Sequence, residues 1–530
     1  MTASRSLRPV KLIVAAVAAM LALAFAACGG SGGGGDGGAD PAGAVPATAP
    51  VYLEASIKPQ GSQKAAVDAL SKRLIGVDNP GKAIQDRITE SASSSDKEFS
   101  YEKDIKPWLG DRVAFFVNTL RPSTGVSSSS GEGAFVAAVS DTDKAKDTLK
   151  NVAEKGKAKQ STYNDVDYYA TGSGGAAGVV GDYLVISSDL ASFKQAVDAE
   201  KGDSLADDAD YKGSPAANSA DKLGSIFVDP KSLITQLSTG GQFAGQGAQF
   251  QQLLQQVGNK PVTGSLSATP DSLTLELAGP AAAGAAADSE STVLPSLPGD
   301  AWAAIGIPKL GTRIDQSLKQ AEASGSAQSQ QIAAIERQLE QQTGISVSRD
   351  IIPASGDAAI FARGTSMADL SVGVVVKAPD TAAAARFVAR LKQVVARSAA
   401  SGGTTKVRTI PGGFQIATAQ LPKPISVVLR GDQWVVVYGD AADVNTALAP
   451  NGTLGDNADF KTAAQSLQGA PVSLFVAFQP ILKLVESRSG GLAASQAQQV
   501  LSQLSTLAFG GKAGAGATAT ALMVLQLTQQ

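Results

Sequence analysis

The chain has 530 residues, a formal net charge of −3, one cysteine (Cys28) and no histidine. The missing imidazole excludes Ser-His-Asp and Cys-His catalysis and every His-ligated zinc, copper or haem site. A mildly acidic chain lacks the basic footprint of a nucleic-acid binder, and a lone cysteine excludes an intrachain disulfide, so stability has to come from core burial.

Residues 1–27 read as a secretory leader. Arg5, Arg8 and Lys11 precede an apolar run from Leu12 to Ala27, and small residues precede Cys28. The run is shorter than the roughly 20 residues of a membrane-spanning helix. Phe25-Ala26-Ala27-Cys28 resembles the bacterial lipobox, with Phe25 where Leu is usual. That resemblance implies cleavage before Cys28 and acylation of its sulfur with diacylglycerol (palmitate chains). The membrane is then a partner through Cys28, and the expected location is the extracytoplasmic face of the cell membrane. One acyl chain anchors only marginally, and this modification supplies more than one. An acylated Cys28 leaves no thiolate, so any metal would have to be oxygen-ligated, such as calcium or magnesium. The leader removes three cations and no acid, which turns −3 into −6 for the mature part.

Gly29 to Gly38 is almost all glycine, and an Ala/Pro-rich stretch follows to Pro50. Such a segment buries too little apolar surface to order itself. Residues 28–44 are therefore expected to be a disordered tether, a flexible coil spanning about 5–6 Å times the square root of its length.

Beyond the tether the chain is written twice, with matches about 250 residues apart and in the same order. Asp104-Ile105-Lys106-Pro107-Trp108-Leu109-Gly110-Asp111 returns as Asp350-Ile351-Ile352-Pro353-Ala354-Ser355-Gly356-Asp357. Ser204 to Lys212 returns as Thr453 to Lys461, and Ser225-Ile226-Phe227-Val228 as Ser473-Leu474-Phe475-Val476. Residues 45–279 form one copy, 280–291 an Ala/Gly-rich linker opened by Gly279-Pro280, and 292–530 the second copy.

Each copy opens on a short apolar strand, Val51 to Ile57 and Ala303 to Ile307. Two helical stretches follow, broken near Asn79-Pro80-Gly81 and near Ser324-Gly325-Ser326. Strands come next at Val113 to Val117 and Ala358 to Ala362, then a further strand feeding a helix. Ala145, Leu149 and Val152 mark one face of that helix in the first copy, and Phe387, Val388, Leu391, Val394 and Val395 in the second. Asp143 and Thr381 stand where N-caps belong. Gly181-Asp182 and Gly431-Asp432 sit between β-rich runs and signal two-residue hairpins. Closing strands are expected at Leu273 to Leu277 and Met523 to Leu527. Hairpins with interspersed helices give an α+β class: two tandem similar copies, each a largely antiparallel sheet with flanking helices.

Val45-Pro46-Ala47-Thr48-Ala49-Pro50-Val51-Tyr52-Leu53-Glu54-Ala55, Pro107-Trp108-Leu109-Gly110-Asp111 and Leu205 to Tyr211 together resemble the signature of an uncharacterised bacterial family, domain-of-unknown-function family 3352. The resemblance implies an exported or membrane-attached bacterial protein. It transfers no activity and no catalytic residue.

Several stretches approach known chemistries. Gly76 to Ala83 nearly spells a phosphate-binding loop, but Ala83 stands where Ser or Thr would hold magnesium. Ser94-Ser95-Asp96-Lys97 has the spacing of acyl-serine enzymes without their partner motifs. Asp207, Asp208 and Asp210, with Asp456, Asn457 and Asp459, offer oxygen ligands but lack a calcium loop's central Gly and downstream Glu, so they read as helix N-termini. Asp104, Asp111, Asp350 and Asp357 lie beside Pro and Gly and read as turn residues leading into a strand. Trp108, Trp302 and Trp434 read as packing residues. No catalytic, cofactor-binding or metal-ligating residue is assigned, and the one site residue is the lipidated Cys28. The expected function is a non-catalytic extracytoplasmic binding or envelope-support module, whose partner is an envelope protein or an apolar small molecule. The alternatives are a carrier or sensor of an apolar ligand such as lipid, and a hydrolase working through carboxylates alone.

Overall fold

The computed structural model describes residues 39–78, 81–82, 86, 100–120, 131–171, 174–218, 222–239, 260–280, 290–323, 327–400, 405–489, 496–513 and 518–529. The leader, Cys28, Gly29 to Gly38, Asn79-Pro80, Ser94 to Lys97 and Ser324 to Ser326 lie outside the described residues. The chain divides into two compact units, residues 1–282 and 283–530. Both mix helix with antiparallel strands, as the α+β reading expects.

In unit 1 the strands are β1 (Val51–Ser56), β2 (Leu109–Leu120), β3 (Gly131–Val139), β4 (Gln160–Tyr163), β5 (Val166–Ala170), β6 (Ala176–Val180), β7 (Tyr183–Ser187), β8 (Gly224–Val228), β9 (Val262–Thr269) and β10 (Ser272–Pro280). They pair antiparallel in the order β4-β5-β6-β7-β3-β2-β1-β8-β9-β10. Side chains alternate between the faces, so neighbouring residues serve different cores. Val180 joins Tyr52, Phe116, Val136 and Val185 against Phe193 and Val197 of helix α3 (Leu190–Lys201). Val179 faces the other way, with Leu184, Ala137 and Trp108 beneath Ala145 and Leu149 of helix α2 (Thr142–Lys155). Helix α1 (Gly61–Ile75) lies earlier in the chain, and its Gln63 exchanges hydrogen bonds with the backbone of Ala268 in β9.

Unit 2 holds β11 (Ala301–Ile307), β12 (Ala358–Arg363), β13 (Ser371–Lys377), β14 (Lys406–Ile410), β15 (Gly413–Ala417), β16 (Ile425–Arg430), β17 (Gln433–Tyr438), β18 (Val472–Ala477), β19 (Leu504–Ala513) and β20 (Thr518–Leu527). Within the unit they pair in the order β14-β15-β16-β17-β13-β12-β11-β18-β19-β20, again antiparallel. Its core gathers Phe361, Val435, Phe460, Leu467 and Phe475. Helix α4 (Thr381–Ala400) covers β14–β16 with Val388, Leu391 and Val395.

The two expected hairpins form as β6–β7 and β16–β17, with Gly181 and Gly431 at positive φ in the first loop position. A type II′ loop demands glycine there. Two expected caps move. The α2 cap is Asp141, which accepts from the Lys144 amide at 3.1 Å; Asp143 already lies in the first turn. For α4 it is Asp380 that accepts from the Ala383 amide at 2.9 Å, and Thr381 is the first helical residue. In both, a carboxylate just ahead of the helix reaches the free amide three residues on.

The folded body also starts before Val45. Asp40 accepts from the Ala42 amide at 3.0 Å and caps a short 3-10 turn, Pro41–Ala44, whose Ala42 and Ala44 are fully buried. The last part of the expected tether is thus core. Its residues are small enough to pack closely, a feature that composition alone reads as disorder. At the far side of the expected linker Ser291 is likewise buried, and its hydroxyl donates to the Ala358 carbonyl at 2.8 Å.

Candidate functional site

The carboxylates singled out by the sequence are held by local donors. Asp104 accepts from the Ser100 amide at 2.8 Å, and Asp350 from the Ser346 amide at 2.9 Å, each closing a five-residue π turn. Asp350 is buried and pairs with Arg390 at 2.6 Å. Asp111 accepts from Gln60 at 3.3 Å. Asp357 accepts from the Thr292 amide and hydroxyl at 2.9 and 2.7 Å and from the Lys309 amide at 2.9 Å. Asp208 and Asn457 are N-caps, accepting from the Tyr211 and Phe460 amides at 2.9 and 3.1 Å. Asp207 and Asp456 accept from the Ser204 and Thr453 hydroxyls at 2.9 and 2.7 Å. Asp210 pairs with Lys260 at 2.7 Å, and Asp459 lies in the first turn of the helix Ala458–Ser466. Among the described residues no three His, Cys, Asp or Glu side chains gather as a metal site would need.

Gly76 of the phosphate-loop-like stretch is the left-handed cap at the end of α1, its amide donating to the Lys72 carbonyl at 3.1 Å. It ends a helix, whereas a phosphate loop opens one. The three indoles donate to the carbonyls of Asp104, Gly364 and Ala354 at 2.6, 2.8 and 2.8 Å, which suits packing residues.

Two features of unit 1 were not foreseen. The first is a buried charged cluster on β1, β2 and β8. Glu54 accepts from the Tyr52 hydroxyl at 3.0 Å, the Ser225 hydroxyl at 3.2 Å and the Lys222 ammonium at 3.3 Å, and Arg112 stands 3.6 Å from its other oxygen. The side chains of Glu54 and Lys222 are 2% and 4% exposed, and Lys222 also donates to the Ala216 carbonyl. Burial, then the neighbouring Glu54, pushes the Tyr52 phenol well above its ordinary pKa, so this hydroxyl stays a donor. Three donors on one oxygen and a guanidinium beside the other answer the buried charge, a structural arrangement.

The second is a pocket of about 470 Å³, within the size range of small-molecule sites. Leu149, Val152 and Ala153 of α2 wall one side, and Tyr169 and Ala177 of β5 and β6 the other. Val152 is 51% exposed, unusual for a valine on the packing side of a helix. Helix α2 stops at Gly156, and Lys157 turns into the left-handed region (φ +51°), so the chain drops away and leaves the space open. Lys157 and Lys159 stand on that turn, both exposed and outside every ion pair among the described residues. No carboxylate is among the described lining residues. Such a lining offers apolar contact and positive charge. The sequence signal for it was the short helix ending in Lys-Gly-Lys-Ala-Lys.

These observations define an α+β protein of two antiparallel-sheet units with an apolar, cation-edged pocket in the first. The family described as Protein of unknown function (DUF3352) matches residues 11–513, and the chain belongs to it. No curated protein matches the chain. Among solved structures, TP0453 is similar in two crystal forms. Form I has 10% identity and a TM-score of 0.23, covering 46% of this chain and 78% of that one. Form IV has 12% identity and a TM-score of 0.24, covering 46% and 80%. No described helix is long and apolar enough to cross a membrane.

Proposed function

We propose that this protein is a lipid-anchored extracytoplasmic lipoprotein whose folded body binds an apolar ligand and carries out no chemistry. The leader, the lone Cys28 and the glycine stretch support the anchor. The pocket beside α2 carries the binding half of the reading, because it joins a ligand-sized volume to a mainly apolar wall. That favours a carrier or sensor over a module that only supports the envelope. Hydrolysis by carboxylates alone needs two facing acids roughly 5–10 Å apart around a cleft. The acids that the sequence offers for that role, Asp104, Asp111, Asp350 and Asp357 among them, are spent on caps, turns and ion pairs, which speaks against it. The matching succession of strand partners in the two units supports an origin by duplication.

Cys28→Ser tests the anchor: the protein should leave the membrane fraction, and its precursor should accumulate. Unchanged membrane partitioning and maturation would end the lipoprotein reading. Native mass spectrometry of the wild-type protein gently released from membranes tests the ligand. A co-purifying apolar molecule is expected, and a spectrum holding the bare polypeptide alone counts against binding.

A further inference from the structure

The pocket is one end of a longer feature. Register partners in a sheet project to the same face. Leu53, Phe115, Phe135, Ile186, Ala177 and Tyr169 are successive partners across β1, β2, β3, β7, β6 and β5. All six are apolar or aromatic, and the last two line the pocket. At a strand spacing of 4.7–4.9 Å the row runs about 24 Å. Phe115, Phe135 and Ile186 are 42%, 38% and 42% exposed, while their chain neighbours Phe116, Val136 and Val185 are fully buried on the other face. The exposure therefore belongs to one face of well-packed central strands and not to a frayed edge.

Unit 2 shows what a filled pocket end looks like. Its row is Ile305, Ile360, Val374, Val436, Val427 and Phe414. There Val427 and Phe414 are 2% and 0% exposed, packed with Leu391 and Val395 of the 20-residue α4. Unit 1 has alanine in place of that valine, a half-buried tyrosine in place of that phenylalanine, and a 14-residue helix above. At the pocket end the same frame is packed solid in unit 2 and left open in unit 1, while in both units the rest of the row stays at least partly exposed, Ile305 at 41%.

We propose that the trough and pocket of unit 1 hold an acyl chain of an anionic amphiphile. The chain lies along the row from Leu53 to Tyr169, and the head group meets Lys157 and Lys159. A row one residue wide and about 24 Å long matches an extended hydrocarbon chain. The two lysines, outside every ion pair among the described residues, select an anionic head over a neutral one. This rests on the reading that the body binds an apolar ligand, and it adds where that ligand lies and what charge it carries.

The test uses the full chain stripped of bound lipid, with palmitate and hexadecanol added in solution and phosphatidylglycerol offered in vesicles. Wild type should bind palmitate. Lys157→Glu/Lys159→Glu should lose at least tenfold in palmitate affinity and under threefold for hexadecanol. Val152→Glu, on an exposed position that leaves folding intact, should lose at least tenfold for both. Ala177→Leu, which fills the pocket, should behave like Val152→Glu if it folds. Phosphatidylglycerol retained after gel filtration assigns a diacyl source, and palmitate retained alone a single-chain one. No retention of either, or equal affinities in wild type, Val152→Glu and the lysine variant, overturns the proposal. Because the ligands are supplied in solution, a failed Cys28→Ser experiment leaves this result untouched. A different apolar molecule found by mass spectrometry would spare the general reading and remove this one.

Discussion

Glu54 stands where unit 2 has Gly306. Tyr52 lies between Phe116 and Phe227 on its neighbouring strands, as Ala304 lies between Phe361 and Phe475, and two residues further on come Glu54 and Gly306. A Cβ on Gly306 would meet the Ser291 Cβ at 3.1 Å and the Leu294 Cδ2 at 3.2 Å, so unit 2 leaves little room for a side chain there. Unit 1 instead buries a carboxylate and answers it with Lys222, Arg112 and two hydroxyls. Breaking a buried pair costs more than omitting it, because the remaining charge keeps its desolvation penalty. Lys222→Met should therefore destabilise the protein by about 3 kcal/mol, and Glu54→Gln/Lys222→Met should recover most of that loss. Urea unfolding of the three proteins checks it. A single-variant loss below about 1 kcal/mol would mean that Arg112 and the hydroxyls compensate the carboxylate unaided. Sequence reading met Glu54 only as an acid inside an apolar strand. Its partner lies 168 residues away, and no local pattern carries that information.

At the scale of elements, the start of β12 is pinned by Asp357. This carboxylate joins the entry of unit 2, through Thr292, to the turn after β11, through Lys309. Burial acts to raise its pKa, but the Lys309 and Thr292 donors outweigh burial, and the net shift is downward. A lowered folded-state pKa means that the ionised form is the one favoured by folding. Its stabilisation is complete above the unfolded aspartate value, about 3.9, and is lost as pH falls through the lower folded value. Asp357→Asn should cost about 1–2 kcal/mol at pH 7. The gap from wild type should narrow steadily below about pH 4. Urea midpoints at pH 7, 4 and 3 measure it, and a gap independent of pH would deny the carboxylate this role. The sequence marked Asp357 as a turn residue from its Gly neighbour, and so found the element without its long-range ties. The Gly-Asp hairpins were legible because two loop residues settle their geometry. The β4–β5 hairpin was not, although Asn164 and Asp165 both sit at positive φ, because the flanking strands are only four and five residues long and the first, Gln-Ser-Thr-Tyr, is mostly polar. The caps slipped by one or two residues because each helix start offers two capping side chains close together, Asp141 with Asp143 and Asp380 with Thr381.

For the whole molecule, the question is where the tether ends and the body begins. Ala42, Ala44 and Val45 are fully buried in the cluster that holds Tyr52, Phe116 and Phe193. The segment is also hydrogen-bonded in place. The Leu205 amide donates to the Val45 carbonyl at 2.7 Å, the Ala47 amide to the Asp203 carbonyl at 3.1 Å, and Pro46 bridges to Ser204. Burial pushes the Tyr183 phenol up to about 12, with nearby Asp40 adding to the shift, so this part of the strap lies against a half-buried aromatic. Residues 39–44 therefore belong to the body, and on the anchored reading the expected leash shortens to Gly29 to Gly38, which lie outside the described residues. A flexible leash of ten residues would reach roughly 16–19 Å. On the anchored reading, that holds the acyl trough close to the bilayer. Deleting residues 39–44 should cost about 2 kcal/mol or more, lowering Tm by about 4–8 °C, since it uncovers core that composition alone assigns to a spacer. Deleting Gly30 to Gly38 should leave Tm unchanged and shorten only the reach. Calorimetry on the two deletions separates these outcomes. Equal melting temperatures would mean that the packed strap contributes nothing to unit 1, and that the body begins at Val45 after all.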